Sequence, residues 1–222
     1  MNDLARKNIV GYVKLIIGLG FMLFVPAWTI NFWQAWVYIL IFSVSVFMIF
    51  VYLYKNDPKL LERRMNRTEK SYKQKWIQFY LFMTYIGLFI FSSVDHRFLW
   101  SDVPVSVVMI GDVLVALGYL IIFFVLKENT FAAATIEVIP DHKVISTGPY
   151  AIIRHPMYSG AILMLLGTPL ALGSWWGLLI FISITVIIVW RLHEEEKLLF
   201  QSLPGYMEYC QKIRYRLVPF IW

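Results

Sequence analysis

Most of the residues able to bind or transform a polar ligand lie in two stretches near the C-terminus. The first reads His142-Lys143-Val144-Ile145-Ser146-Thr147-Gly148-Pro149-Tyr150, then Arg154-His155-Pro156-Met157-Tyr158. Gly148-Pro149 marks a turn. Pro156 suits the first position of a helix, where its missing N–H costs nothing. Arg154 and His155 therefore stand at a helix start, which offers unpaired N–H groups and a positive dipole end to an anion. Arg154 alone would serve as well for anchoring at a membrane surface. Together with His155 and Tyr158, beside a Gly-Pro turn, it points to an anion or cofactor site.

The second stretch reads Arg191-Leu192-His193-Glu194-Glu195-Glu196-Lys197 and follows an apolar helix without a break. Arg191 and Glu195 are four residues apart, so they share a helix face. A surface ion pair at that spacing is worth under about 1 kcal/mol. Three adjacent carboxylates repel one another, and a nearby cation explains their grouping better than stability does. A closing stretch, Leu203-Pro204-Gly205-Tyr206-Met207-Glu208-Tyr209 and then Arg214-Tyr215-Arg216, reads as a turn and a short aromatic, basic helix lying on headgroups.

The elements that must hold these residues are membrane helices. Of the 222 residues, 59% are hydrophobic and 15% charged, against about 25% charged in a soluble domain. Residues Leu15 to Tyr54, Trp76 to Val94 and His155 to Trp190 contain no Asp, Glu, Lys or Arg. A crossing needs roughly 20 apolar residues, so the first and third of these stretches are long enough for two crossings each. Helices are expected over about 9–30, 34–55, 76–94 and 103–126, followed by a hairpin of two shorter helices divided at Leu172-Gly173-Ser174. A short surface helix is expected between 55 and 75. A polar loop is expected around Asp95, His96, Arg97 and Asp102. The fold class is all-α: a polytopic membrane bundle of about six transmembrane helices, including the C-terminal hairpin, with short interfacial helices.

Charge sets the orientation. With both termini in the cytoplasm, 19 of the 20 Lys and Arg lie inside and only Arg97 lies outside. The net charge of +6 follows from this asymmetry, and nucleic acid is not expected as a partner. The N-terminal apolar run has no clear small-residue cleavage site and reads as a retained first helix. Cys210 is the only cysteine, which excludes an intrachain disulfide. The Gly18 and Gly20 pair follows no strand and is no dinucleotide loop. The four His residues form no His-Glu-x-x-His pair, and no metal site is expected. Asp112 is an intramembrane carboxylate with no evident partner.

The ordered motifs Gly148-Pro149-Tyr150, Arg154-His155-Pro156-Met157-Tyr158, Arg191 with Glu195-Glu196, and Tyr206 with Tyr209 resemble the C-terminal half of the isoprenylcysteine carboxyl methyltransferase family, which is related to membrane phospholipid methyltransferases. The resemblance covers about residues 126–222. Residues 1–222 then form one membrane methyltransferase domain, with a helix pair and basic loop over 1–75 and a cofactor-binding, catalytic half over 126–222.

The resemblance implies S-adenosylmethionine as methyl donor, held by His142, Lys143, Val144 and Ile145, largely through backbone groups. Tyr150, Arg154, His155, Pro156, Met157, Tyr158 and Glu195 complete that cofactor set. Arg191, Glu195 and Glu196 become the catalytic candidates, Arg191 being tied to the substrate. Val144-Ile145 stands where a Leu-Val pair is common, and Glu194 leaves the placing of the Glu roles open by one residue. The acceptor implied is a prenylated or other lipophilic carboxylate entering from the bilayer among membrane lipids. Phospholipid N-methylation is the alternative. A membrane reductase using NADPH, or a scaffold without catalysis, are further alternatives.

Overall fold

The computed structural model describes residues 3–65, 71–132 and 143–222. Every regular element among them is helical. Helix α1 (Asp3–Ala27) is followed by a tight turn, pinned where the Trp36 indole N–H donates to the Ile30 carbonyl at 2.9 Å. Helix α2 (Trp33–Asn56) returns through the bundle. Asp57 then caps α3 (Pro58–Met65), accepting the Leu60 N–H at 2.9 Å, with Pro58 at the first helical position. This is the surface helix expected in the basic loop. Its two leucines, Leu60 and Leu61, are buried with Leu53 and Leu126, and its half-buried arginines reach the chain after α5, Arg63 donating to the Thr130 carbonyl and Arg64 to the Ala132 carbonyl.

Helix α4 (Tyr72–Phe98) runs four residues past the expected end. Asp95, His96 and Arg97 are in its last turn rather than in a loop. Asp95 is fully buried: one carboxylate oxygen accepts hydrogen bonds from Ser101, at 2.7 Å, and from Ser174 on the far hairpin, and the other has no partner among the described residues. His96 stacks on Phe32 with ring centroids 3.9 Å apart. Polar residues that read as a loop are thus the seal between α4 and the hairpin.

Helices α5 (Val105–Glu128), α6 (Pro156–Ala171), α7 (Gly177–Ser202) and α8 (Tyr206–Lys212) complete the chain. Helices α1, α2, α4, α5 and α7 are long and apolar enough to cross a membrane. The 16 residues of α6 rise only about 24 Å, short of a hydrocarbon core of about 30 Å. The hairpin is therefore unequal: α6 is short, and α7 is long because it continues unbroken through Arg191 to Ser202. The protein is an integral membrane helical bundle.

Neighbouring helices run α5, α6, α7, α4, α1, α2 and back to α5, with α6 toward the middle, where it also touches α2 and α4. The α5–α6 seam is backbone on backbone. A Cβ built on Gly118 would stand 2.6 Å from the Gly160 carbonyl, and one on Gly167 would stand 2.5 Å from the Gly111 carbonyl. Small residues permit such contact between membrane helices, where van der Waals packing supplies most of the attraction. This seam fixes the height of α6, and so the position of Tyr158 beside α7.

Candidate active site

The site is built where α6 begins and α7 leaves the apolar zone. Gly148 adopts φ +56, which lets the chain turn tightly over Glu128 into a 3-10 turn, Gly148–Ala151. Thr147 donates to Glu128, and the Asn129 amide donates to the Tyr150 hydroxyl at 2.8 Å. Burial pushes the Tyr150 phenol up to about 12, and the Glu195 carboxylate adds to this, while the Asn129 bond opposes it. Tyr150 is therefore a neutral hydroxyl at any working pH.

Helix α6 follows, with Pro156 at its first position and His155 before it. No side chain among the described residues caps this end, so the geometry of the first turn leaves the Met157 and Tyr158 N–H groups without helical partners. The C-terminal chain lies across this helix start. Arg154 N–H donates to the Tyr215 carbonyl and His155 N–H to the Arg216 carbonyl, both at 2.9 Å. The Ser159 hydroxyl donates to the Leu217 carbonyl at 2.6 Å.

Helix α7 brings its three carboxylates to three different partners, because successive residues are turned by about 100°. Glu194 faces Lys197, at 2.8 Å, and Lys73, at 2.9 Å. Glu195 accepts the Tyr158 hydroxyl at 2.5 Å. That same hydroxyl accepts the Arg191 Nε–H at 3.2 Å, so the expected pair of Arg191 and Glu195 is joined through Tyr158. Glu196 is buried and lies 2.9 Å from Arg154, 3.3 Å from His155 and 2.9 Å from Arg216. Glu194 and Glu196 are thus matched by cations from elsewhere in the chain, while Glu195 is met by the neutral Tyr158 hydroxyl.

Two of the expected cofactor contacts, Arg154 and His155, are thus engaged with Glu196. Arg154 also reaches the Arg214 carbonyl, at 3.2 Å, and the Cys210 sulfur, at 3.3 Å. Lys143 is exposed, while Val144 packs against Leu203, Tyr206 and Tyr209. Met157 packs beside Leu126 and Leu61, with its sulfur 3.8 Å from an Arg64 nitrogen. His142 lies outside the described residues. Asp112 is buried in α5, and one of its oxygens has no partner among the described residues.

Tyr206 was legible in the sequence only as part of a motif, and the structure brings it near Glu195, Glu196 and Arg154 as a further candidate. Gly205, at φ +82, turns the chain so that α8 folds back under the site. The Tyr206 hydroxyl is buried without a partner among the described residues. Burial pushes its phenol up, and Cys210, Glu196 and Glu195 add to this, so it is a hydrogen-bond donor awaiting an acceptor. Tyr209 instead donates to the Tyr150 carbonyl at 2.7 Å and locks α8 to the 3-10 turn. Arg216 went unread as well, because nothing in the sequence separates it from Arg214 as the partner of Glu196.

The two stretches that resembled a methyltransferase therefore form one wall, and the polar groups on it come from α5 through α8. Residues 106–203 match the family model described as phospholipid methyltransferase. Over α5 to α7 the chain is thus similar to the phospholipid methyltransferases. The match begins at the start of α5 and ends at the end of α7, so it holds both faces of the site and leaves out α8 and the C-terminal loop. No curated protein matches the chain as a relative. Among solved structures, the chain is similar to a eukaryotic intramembrane Ras methyltransferase, ICMT (isoprenylcysteine carboxyl methyltransferase), at 18% identity. That alignment covers 100% of this chain and 88% of the other at a TM-score of 0.45.

The donor set on this wall has the chemistry to hold S-adenosylmethionine, the methyl donor that the sequence resemblance implies. S-adenosylmethionine offers a carboxylate, an ammonium and ribose hydroxyls. The start of α6, the Glu195 carboxylate and the Tyr206 hydroxyl, which has no partner among the described residues, are complementary to these groups in turn. The groups present fit the cofactor.

Proposed function

We propose that the protein transfers a methyl group from S-adenosylmethionine to the carboxylate of a lipophilic, isoprenoid-type acceptor. The observation that carries this reading is the meeting of Tyr158 with both Glu195 and Arg191. It joins a residue expected to hold the cofactor to one expected to hold the acceptor. S-adenosylmethionine bound there would supply a methyl group activated by its sulfonium sulfur. Glu195 would accept the donor's ammonium or a ribose hydroxyl. The first N–H groups of α6 would receive its carboxylate, and Tyr206 would donate to a remaining oxygen. The backbone of residues 142–145, with Tyr150 and Met157, would line the same recess.

Arg191 would hold the acceptor carboxylate by a two-pronged contact and aim one oxygen at the methyl carbon. Positioning of this kind is worth roughly 7–11 kcal/mol of the barrier. A carboxylate with a pKa near 3.5 is already ionised at neutral pH, so no residue of the chain need act as base. Arg154, His155 and Glu196 would act by holding the wall rather than by touching the reacting atoms. Residues 126–222 would then be the catalytic half, and the basic charge pattern would set this face and both termini in the cytoplasm. The acceptor's lipid part would reach Arg191 from the bilayer, between helices.

A second reading has its own support in the description of the matching family: methylation of a phospholipid amine. Glu195 or Glu196 would then receive the proton that the amine must lose. Membranes containing the protein, given S-adenosylmethionine labelled in the methyl group, decide between the two. Label in a product that base hydrolyses to methanol supports the carboxylate. Label in a base-stable lipid supports the amine. No transfer to any lipid-soluble product would overturn both.

A further inference from the structure

Beyond α8 the chain closes on itself. The Leu217 and Val218 N–H groups donate to the Trp222 carbonyl at 2.9 and 3.0 Å, and the Trp222 N–H returns to the Val218 carbonyl at 3.1 Å. Phe220 sits at the tip with φ +66, a conformation rare outside glycine that the closed loop imposes. The loop buries little of its own apolar surface: Phe220 is 86% exposed and Ile221 80%. Lys212 and Arg214, just before it, are also exposed.

The loop's position shows what covers it. Leu179, Ile182, Val186 and Trp190 form an exposed stripe along α7 at helical spacing, and this stripe faces lipid. His193 continues the stripe, and the Trp222 ring packs on it with centroids 5.9 Å apart. Beside it, Lys73 sits 6.0 Å over the Trp190 ring and pairs with Glu194, which marks the level where polar groups begin. The apolar tip thus stands at the end of the lipid-facing stripe, with cations next to it. That arrangement suits a segment buried at the boundary of headgroups and acyl chains.

The same loop is wired into the site. The Arg216 guanidinium lies 5.5 Å from the Trp222 ring, and its Nε donates to Glu196. Its backbone carbonyl holds the His155 N–H, and the next carbonyl holds Ser159.

We propose that residues 212–222 are a strap docked on the membrane. Phe220 and Ile221 insert into the leaflet at the site end, and Lys212 and Arg214 engage anionic headgroups. This docking holds Arg216 on Glu196 and so keeps the start of α6 in place. The partner is an anionic lipid surface. The consequence for catalysis rests on the proposed active site; the docking itself does not.

The test uses the full chain in nanodiscs of zwitterionic lipid, with and without anionic lipid, comparing wild type with F220S/I221S and with K212Q/R214Q. Methyl-transfer rates are expected to be higher in anionic nanodiscs. That preference should fall by up to roughly fivefold for each cation removed and flatten in F220S/I221S. A second readout needs no turnover. Bromine-labelled acyl chains should quench tryptophan fluorescence more in wild type than in W222F, and the difference should vanish in F220S/I221S. Equal quenching in wild type and W222F, or a lipid preference untouched by both double variants, overturns the strap. Quenching as expected with no methyl transfer in either lipid keeps the strap and overturns the proposed function instead.

Discussion

The Tyr158 hydroxyl donates to Glu195 at 2.5 Å and accepts from Arg191 at 3.2 Å, so a single phenol on α6 fixes the two α7 residues on which the proposed chemistry depends. Tyr158→Phe keeps the ring and removes the bridge. The loss of one hydrogen bond to a charged group, about 1.5 kcal/mol, predicts roughly a tenfold fall in kcat/KM with little change in unfolding temperature. Steady-state kinetics beside a thermal melt checks both parts.

Glu195 and Glu196 are adjacent in sequence and are predicted to fail differently. Glu196→Gln leaves Arg154 and Arg216 without their shared carboxylate in a buried setting, and breaking a buried pair from one side costs about 3–5 kcal/mol. The expected result is a marked loss of thermal stability. Glu195→Gln is expected to change stability by less than about 1 kcal/mol while removing transfer. Melting curves of the two variants in one membrane preparation separate them.

The α5–α6 seam predicts a stability effect far from any polar group. A methyl group at Gly118 would meet the Gly160 carbonyl and the Met164 N, both at 2.6 Å, and these backbone atoms have nowhere to move. Gly118→Ala should destabilise the protein by about 1–3 kcal/mol. Gly11→Ala, where an added Cβ meets nothing within 4 Å, should be neutral or slightly stabilising.

The acceptor's own ionisation predicts the pH profile. A carboxylate acceptor is fully charged well above its pKa of about 3.5, so kcat/KM should be flat from about pH 6 to 8. An amine acceptor would instead give a rate rising roughly tenfold per unit below its pKa. A profile measured with saturating methyl donor distinguishes the carboxylate and amine readings without identifying the lipid.

Much of this was legible in the sequence because bilayer physics leaves few options. Long apolar stretches became α1, α2, α4, α5 and α7, and Pro156 marked the start of α6 where its ring is tolerated. The pairing of the 154–158 stretch with Arg191 and Glu195 could be read from ordered motifs. What could not be read was how the charges sort. Glu194, Glu195 and Glu196 look alike in a row, and their partners come from α4, from α6 and the residues just before it, and from the chain after α8. Asp95 read as loop because a carboxylate seldom ends a membrane helix unless hydroxyls meet it, and Ser174 lies 79 residues away. Tyr206 stayed one motif residue among several, because only the fold of α8 leaves its buried oxygen without a partner among the described residues.

The most direct test is calorimetric titration of the purified wild-type protein with S-adenosylmethionine. Saturable binding at one site is predicted, weakened roughly 10- to 100-fold in Glu195→Gln, as expected for losing a charged hydrogen-bond partner. Asp112→Asn, in α5 and outside the proposed site, should bind as wild type does. An absence of binding, or an unchanged affinity in Glu195→Gln, would contradict the account.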